Sequence, residues 1–159
     1  MSAGVERLLE VAFAALSEAR VEFALIGACA RNLYAEPRAT RDVDLAVTAD
    51  PAAYVRVVAA FAARGFAVGA TVGDKEDVQP DLVHFRDAAG DRGDRIDILF
   101  AKTSFEREAL ARRIAGLTVG ETRFPAVTPE DLVIYKLIAA RPQDLLDAEE
   151  VAATMAASD

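Results

Sequence analysis

The segment that decides the fold reads Arg38-Ala-Thr-Arg-Asp-Val-Asp-Leu45. From Arg41 to Val47, charged and aliphatic residues alternate, which is the period of a β-strand with one buried face. Asp42 and Asp44 are two residues apart in this strand, so their carboxylates project from the same face at a backbone spacing of about 6.5–7 Å. Both carboxylates can then reach one cation, although two acids on a strand often form only its solvated face.

The preceding segment, Phe23-Ala-Leu-Ile-Gly-Ala-Cys-Ala-Arg31, predicts a strand, a tight turn and a short helix. The strand covers residues 22–26, and the helix covers residues 28–36, where a proline ends it. A helix that begins directly after a strand leaves backbone N–H groups unpaired and presents the positive end of its dipole. The turn at Gly27 and Ala28 therefore predicts a place where a phosphate group can bind.

A third acid, Asp97, interrupts an apolar strand between two isoleucines. Residues 82–86 and 95–100 predict an antiparallel pair of strands joined by the polar segment 87–94. If the second of these strands neighbours the strand of residues 41–47, three carboxylates meet in a partly buried site. Such a site requires a divalent cation, most simply Mg²⁺, or a proton. The alternative is that Asp97 is a buried, hydrogen-bonded structural residue.

Composition narrows the class of protein. The 159 residues, 53% hydrophobic and 28% charged, predict one folded domain over residues 1–159. Lys plus Arg number 18 against 26 acids, a net charge of −8 that disfavours nonspecific binding to nucleic acid. The single cysteine, Cys29, and the single histidine, His84, exclude an internal disulfide and a multi-histidine zinc site, so the cytoplasm is expected. No stretch reaches about 18 apolar residues, so no membrane partner is expected.

The remaining elements follow from apolar periodicity and helix caps. Further helices are predicted over residues 3–19, 51–65, 103–115, 129–139 and 143–155. Residues 66–79 carry a weak signal for one strand and a loop, and a short hairpin is predicted around Gly120. The predicted order is α, β, α, β, α, β, β, α, α, α, which indicates the α+β fold class.

Together these segments resemble the signature of the polymerase-β-like nucleotidyltransferase superfamily. In that superfamily, a glycine pair after a strand precedes an Asp-x-Asp motif, and a third acid lies on a later strand. The tail, Thr128-Pro-Glu-Asp-Leu-Val-Ile-Tyr-Lys136 and then Arg141-Pro-Gln-Asp144 with Asp147, is similar to the ending of its AbiEii-type branch, the toxin of abortive-infection systems. The match runs in order from about residue 22 to 150. It implies a mixed β-sheet of the nucleotidyltransferase type, flanked by helices, with a helical C-terminal part.

The resemblance also implies the site, residue by residue. The residues that would line the nucleotide are Gly27, Ala28, Arg31 and Thr40. The acids that would bind Mg²⁺ or Mn²⁺ are Asp42, Asp44 and Asp97. The implied catalytic residues are Asp97, which would activate the attacking hydroxyl, Lys136, which would reach a phosphate, and Asp144, which would support the site. Ala28 departs from the glycine or serine of many members, but an alanine leaves its backbone N–H free.

The implied function is metal-dependent transfer of a nucleoside monophosphate from a nucleoside triphosphate (NTP) to a hydroxyl. The acceptor is a small molecule, a protein or a tRNA end, and the setting is a toxin–antitoxin or phage-defence system with a cognate antitoxin as partner. The alternative is a catalytically inactive member that binds a nucleotide or a protein.

Several side chains near the motifs have two readings. Arg31, Arg38 and Arg41 either steer the triphosphate or hold the carboxylates. Lys136 is alternatively a surface lysine, and Asp144 is alternatively a first-turn acid that complements a helix dipole. For the two remaining polar residues, Cys29 and His84, a packing role is favoured.

Overall fold

The computed structural model describes residues 1–90 and 93–159, and in these residues one mixed sheet is surrounded by helices. The strands are β1 (Phe23–Ile26), β2 (Asp42–Thr48), β3 (Phe66–Val72), β4 (Leu82–Asp87), β5 (Arg95–Ala101), β6 (Ile114–Val119) and β7 (Thr122–Ala126). The helices are α1 (Ala3–Glu18), α2 (Gly27–Tyr34), α3 (Pro51–Ala62), α4 (Ser104–Ala111), α5 (Pro129–Ala139) and α6 (Pro142–Ser158). This confirms the predicted α+β class and the helical C-terminal part.

The order of the strands in the sheet is β3-β4-β5-β2-β1-β7-β6. β2 lies at the centre, parallel to β5 and antiparallel to β1. Alternate residues of β2 have opposite environments: Val43, Leu45 and Val47 are fully inaccessible to solvent, whereas Asp42 and Asp44 are only partly buried. The burial of the aliphatic side chains fixes the register of β2, because a shift by one residue would turn the acids into the core.

Side-chain caps define three helix starts as the sequence predicts. The Asp50 side chain accepts a hydrogen bond from the first turn of α3, and the Thr128 side chain does so for α5. Thr103 and Glu106 form a reciprocal capping box at the start of α4. Each helix therefore begins where a polar side chain satisfies backbone N–H groups that the helix leaves unpaired.

The predicted helix over residues 103–115 is too long. α4 ends at Ala111, and Ile114 begins β6, which pairs with β7 in an antiparallel hairpin. Within β6, a Cβ on Gly116 would lie 2.7 Å from the Ala126 Cβ, so glycine permits the close approach of the two strands. The tight pairing with β7 overrides the helical composition at the end of the segment.

The sequence also gave a weak signal for β3, and the structure shows why. β3 is an edge strand in which Phe66 is buried and the other residues are exposed, so it lacks the alternation of a half-buried strand. The predicted hairpin of β4 and β5 is confirmed. Its predicted connection, residues 87–94, includes residues 91 and 92, which lie outside the described residues.

Among residues 1–90 and 93–159, no helix has the length and apolar character needed to cross a membrane.

Candidate active site

Two rows of side chains cross one face of the sheet, because direct partners in neighbouring strands lie side by side. The first row consists of Ile26 on β1, Asp44 on β2, Asp97 on β5 and His84 on β4. The second row, two residues away along each strand, consists of Asp42, Arg95 and Arg86. The strand that carries Asp97 therefore does neighbour the strand that carries the paired acids, as predicted. All three acids lie on one face.

Asp44 lies directly against the start of α2. Gly27, the first residue of this helix, has a φ of 64°, in the left-handed region that favours glycine. A Cβ at this position would lie 2.6 Å from the Asp44 Cγ, so only glycine leaves room for the carboxylate. The N-cap residue, Ile26, has no side-chain acceptor for the first-turn N–H groups. A carboxylate and an uncapped helix N-terminus therefore lie side by side.

Burial and neighbouring acids raise the pKa of Asp42 and of Asp44. Burial, together with the charges of Asp97 and Asp42, raises the pKa of Asp44 to about 6. Burial also raises the pKa of Asp42, against the opposing charge of Arg95. Lys136 and Arg95 favour the ionised form of Asp44, but their effect is smaller than that of burial and of the other two acids. The site therefore carries more negative charge than its cations balance.

Asp97 is only 5% exposed and is held by two neighbours. His84 Nδ1 lies 2.6 Å from the Asp97 Oδ1, and Arg95 Nε lies 2.8 Å from the same oxygen. The Arg95 guanidinium also donates from Nη2 to the Asp42 Oδ2, at 3.3 Å. Sequence reasoning missed Arg95 and favoured a packing role for His84. For Arg95 a signal existed, because it precedes Asp97 by two residues and so shares its strand face.

The three carboxylates suit a hard divalent cation such as Mg²⁺ or Mn²⁺ in their chemistry and in their uncompensated charge. In the part of the chain that the structure describes, no group of three or more His, Cys, Asp or Glu side chains is close enough together to hold a metal ion as it stands. Two of the acids, Asp42 and Asp97, are instead drawn to Arg95. Asp42, Asp44 and Asp97 therefore fit a divalent cation that would replace the Arg95 guanidinium as the partner of these acids.

A buried ion network beside the site joins α2, α5 and α6. Asp147, fully inaccessible to solvent, accepts hydrogen bonds from Lys136 Nζ at 2.8 Å, from Arg38 Nη2 at 2.8 Å and from the Gln143 amide. The guanidinium of Arg31, 3% exposed, lies 3.5 Å from the same carboxylate. One acid of the last helix therefore fixes α5, α2 and the segment that leads into β2.

Two of the predicted site residues are partners of each other within this network. Lys136 Nζ donates to Asp144 Oδ1 at 2.9 Å, and Arg141 donates to the other oxygen. Burial opposes ionisation of Asp144, but the hydrogen bonds from Arg141 and Lys136 hold its pKa below the usual value. The predicted nucleotide residue Arg31 also points into the network, where it pairs with Asp147 and Glu150.

Thr40 and Cys29 fix the start of β2. Thr40 Oγ1 donates to the backbone carbonyl of Asp42 at 3.2 Å, and Cys29 Sγ lies 3.9 Å from the same oxygen. Burial raises the pKa of the Cys29 thiol to about 12, so it is a neutral packing residue. Ala28, the second residue of α2, is partly buried.

A model of one protein family, described as the nucleotidyl transferase AbiEii toxin of type IV toxin–antitoxin systems, matches residues 7–157. The chain belongs to this family. It is a nucleotidyltransferase with a toxin-like role, as the resemblance implied. No curated protein matches the chain.

Solved structures share the fold. ANT(2″)-Ia in complex with adenylyl-2″-tobramycin is 17% identical, with a TM-score of 0.67 over 95% of this chain and 88% of that one. The lincosamide antibiotic adenylyltransferase LnuA, with lincomycin bound, is 10% identical, with a TM-score of 0.59 over 97% and 98%. A nucleotidyltransferase-like protein from Paracoccidioides brasiliensis is 16% identical, with a TM-score of 0.61 over 96% and 76%. The chain therefore shares its fold with these proteins.

The contact between Gly27 and Asp44 makes Gly27→Ala unusually costly. Gly65 is a matched control, because its φ is also positive, at 80°, while no described atom lies within 4 Å of the place of its Cβ. We expect Gly65→Ala to lower the free energy of unfolding by about 1 kcal/mol through backbone strain alone. Gly27→Ala should cost at least about 2 kcal/mol more, since the new methyl group collides with the carboxylate of Asp44. Urea unfolding measures both values, and equal losses would contradict the contact.

Asp44 predicts a pH dependence of stability. Its pKa in the folded protein, about 6, lies above the unfolded value, so the folded state binds more protons between about pH 4 and 6. Ionised Asp44 therefore destabilises the fold above pH 6, and this penalty disappears as the pH falls through that window.

We expect Asp44→Asn to raise the free energy of unfolding by about 1–2 kcal/mol at pH 7.5 when no metal is added. The difference from wild type should vanish near pH 4. Glu149→Gln, which removes an exposed acid on α6, serves as the control and should change the free energy of unfolding by no more than about 0.5 kcal/mol. A constant difference for Asp44→Asn across the range would contradict the raised pKa.

Proposed function

We propose that the chain transfers a nucleoside monophosphate from an NTP to a hydroxyl of an acceptor, with Mg²⁺ or Mn²⁺ as cofactor. The observation that carries the proposal is the placement of Asp44 against Gly27, with Asp97 opposite it on β5. An acid that binds a cation and a helix start that binds phosphate are thereby neighbours. Nucleotidyl transfer needs these two functions at one place.

The first-turn N–H groups of α2, at Gly27 and Ala28, would bind the triphosphate. Asp42, Asp44 and Asp97 would hold the divalent cation, which neutralises phosphate charge and orients the triphosphate when it is bound. The acids are already placed on one sheet face, so little rearrangement of the backbone is needed.

In the reaction, the acceptor oxygen forms a bond to the α-phosphorus, and the bond from this phosphorus to the bridging α–β oxygen breaks. Pyrophosphate leaves with the electron pair of that bond. The proton of the acceptor hydroxyl passes to Asp97 or, through it, to solvent. His84 and Arg95, which both contact the Asp97 Oδ1, would orient this carboxylate.

The other predicted residues act around this centre. Thr40 would help to bind nucleotide by fixing the segment that enters β2. Lys136 would reach a phosphate if it leaves one of its two carboxylate partners, and its charge already acts on Asp44. Asp144 would hold Lys136 in place. Arg31 would contribute positive potential from its buried position on α2.

The acceptor belongs to one of three classes: a small molecule, a protein or a tRNA end. The ANT(2″)-Ia structure contains adenylyl-2″-tobramycin and the LnuA structure contains lincomycin, so small molecules are acceptors to test early. The net charge of −8 disfavours long nucleic acids. A cognate antitoxin is the expected partner, in keeping with the family. The cytoplasm remains the expected location, since the single cysteine is a free thiol.

Metal and nucleotide binding provide the first test. Because a cation relieves the repulsion among the acids, Mg²⁺ or Mn²⁺ with an NTP should raise the melting temperature of the wild type. Asp42→Asn should abolish most of that rise, whereas Asp74→Asn, an exposed turn acid, should leave it unchanged. The absence of a metal-dependent shift with all of ATP, CTP, GTP and UTP would contradict the metal site.

Asp97→Asn separates catalysis from binding, because asparagine keeps the side-chain shape and removes the charge. We expect NTP affinity within roughly tenfold of wild type and a loss of transfer of about 10²–10⁴. The acceptor can be located by incubating cell extract with labelled NTP. Transfer by Asp97→Asn at the wild-type rate would mean that the third acid is structural. Wild-type NTP binding without pyrophosphate release, in an extract containing the acceptor, would favour the inactive, nucleotide-binding alternative.

A further inference from the structure

The contacts of Arg95 point to a role in the loading of the site with metal. Its guanidinium joins the two rows of the site, with Nη2 at 3.3 Å from the Asp42 Oδ2 in the second row and Nε at 2.8 Å from the Asp97 Oδ1 in the first. Arg95 thus bridges two of the acids proposed to bind metal. A cation of the protein itself therefore occupies the space between two proposed ligands.

Three features make this cation replaceable. First, the side chain of Arg95 is 30% exposed and that of Asp42 is 36% exposed, so the guanidinium can turn towards solvent without crossing the core. Second, the Arg95 Nε lies at ion-pair distance from Asp97, but its buried N–H lacks an aligned hydrogen bond in the described structure. Third, Asp97 has a separate partner in His84, which keeps the carboxylate in place when Arg95 leaves.

The charges of the site indicate whether a divalent cation would replace the Arg95 guanidinium between the acids. Arg95 pairs with two of the three carboxylates, and Lys136 acts on Asp44 from its own ion pairs in the buried network, so the negative charge exceeds the positive charge beside it. A divalent cation would balance two negative charges, and carboxylate oxygens are the ligands that such a cation prefers. Replacement of the guanidinium by a divalent cation is therefore favourable, but the ion pairs of Arg95 with Asp42 and Asp97 must break first.

We propose that Arg95 is the resident counter-cation of the metal-free site, and that a divalent cation binds by displacing its guanidinium from Asp42 and Asp97. This inference rests on the metal site of the proposed function. Arg95 is thus a positioning residue: in the metal-free protein it holds the acids together against their repulsion, and it lowers the affinity for the metal alone.

The chain offers a matched control for Arg95. Arg86 is its direct partner on β4, so it has the same charge on the same face of the sheet, one strand further from Asp42. Arg95→Met and Arg86→Met each remove one positive charge and keep an aliphatic side chain. A general electrostatic effect would change the metal affinity of both variants. If the metal has to displace Arg95, only Arg95→Met should have a changed metal affinity.

Titration with Mn²⁺, followed by electron paramagnetic resonance of the free ion at fixed ionic strength, measures the affinity without nucleotide or turnover. We expect Arg95→Met to bind Mn²⁺ about tenfold more tightly than wild type or better, because no charge-assisted pair has to break. Arg86→Met should stay within about twofold of wild type, as expected for an exposed charge. Equal gains in both variants, or a weaker affinity of Arg95→Met, would overturn the proposal.

A second measurement uses the wild-type chain, so it decides the matter even if Arg95→Met does not fold. In protein labelled with ¹⁵N-arginine, the Nε–H resonance of Arg95 should shift with Mg²⁺ at the same midpoint as metal binding. A resonance that is unmoved at saturation would overturn the displacement. The absence of Mn²⁺ binding in wild type and both variants would instead remove the metal site itself, and with it the proposed function.

Discussion

Repulsion among three carboxylates is the constraint on which this site depends. The parallel pairing of β2 with β5 sets Asp44 opposite Asp97, and the alternation of β2 brings Asp42 to the same face. The aliphatic residues between the acids fix this register, because their burial is lost if the strand shifts. The core therefore enforces an electrostatically unfavourable arrangement on the opposite face of the same strand.

The surroundings of the acids reduce this repulsion without removing it. Arg95 pairs with two of the carboxylates, and the charge of Lys136 reaches Asp44 from the buried network. The start of α2 adds the positive end of a helix dipole beside Asp44. Under the proposed function, this remaining imbalance would favour a divalent cation, and the free energy spent in holding the acids together would become affinity for the metal.

Much of this organisation was accessible from the sequence, because it depends on residues that are close along the chain. The strand with Asp42 and Asp44, the turn at Gly27 and the caps of three helices are local patterns with local causes. The convergence with Asp97 was a conditional prediction, and the strand pairing fulfils the condition. The family followed from the order of the same motifs.

The features that sequence reasoning missed depend on pairings between distant segments. His84 acquires its role from the pairing of β4 with β5, which no local pattern reveals. Arg95 shares a strand face with Asp97 in the sequence, but its contact with Asp42 depends on the pairing of β5 with β2. The edge strand β3 has no buried face, and the end of α4 is set by the pairing of β6 with β7. In these places tertiary contacts, rather than local propensity, decide the structure.

The position of Asp147 in the last helix has a genetic consequence. A frameshift or stop codon before residue 142 would remove α6, and with it the carboxylates that the buried Lys136 and Arg31 contact. Buried cations without partners are strongly destabilising, so α2 and the segment entering β2 would lose their positions too. Cells under selection to escape such a toxin could therefore disable it through the codons for residues 142–158, about a hundred residues along the chain from Asp42 and Asp44.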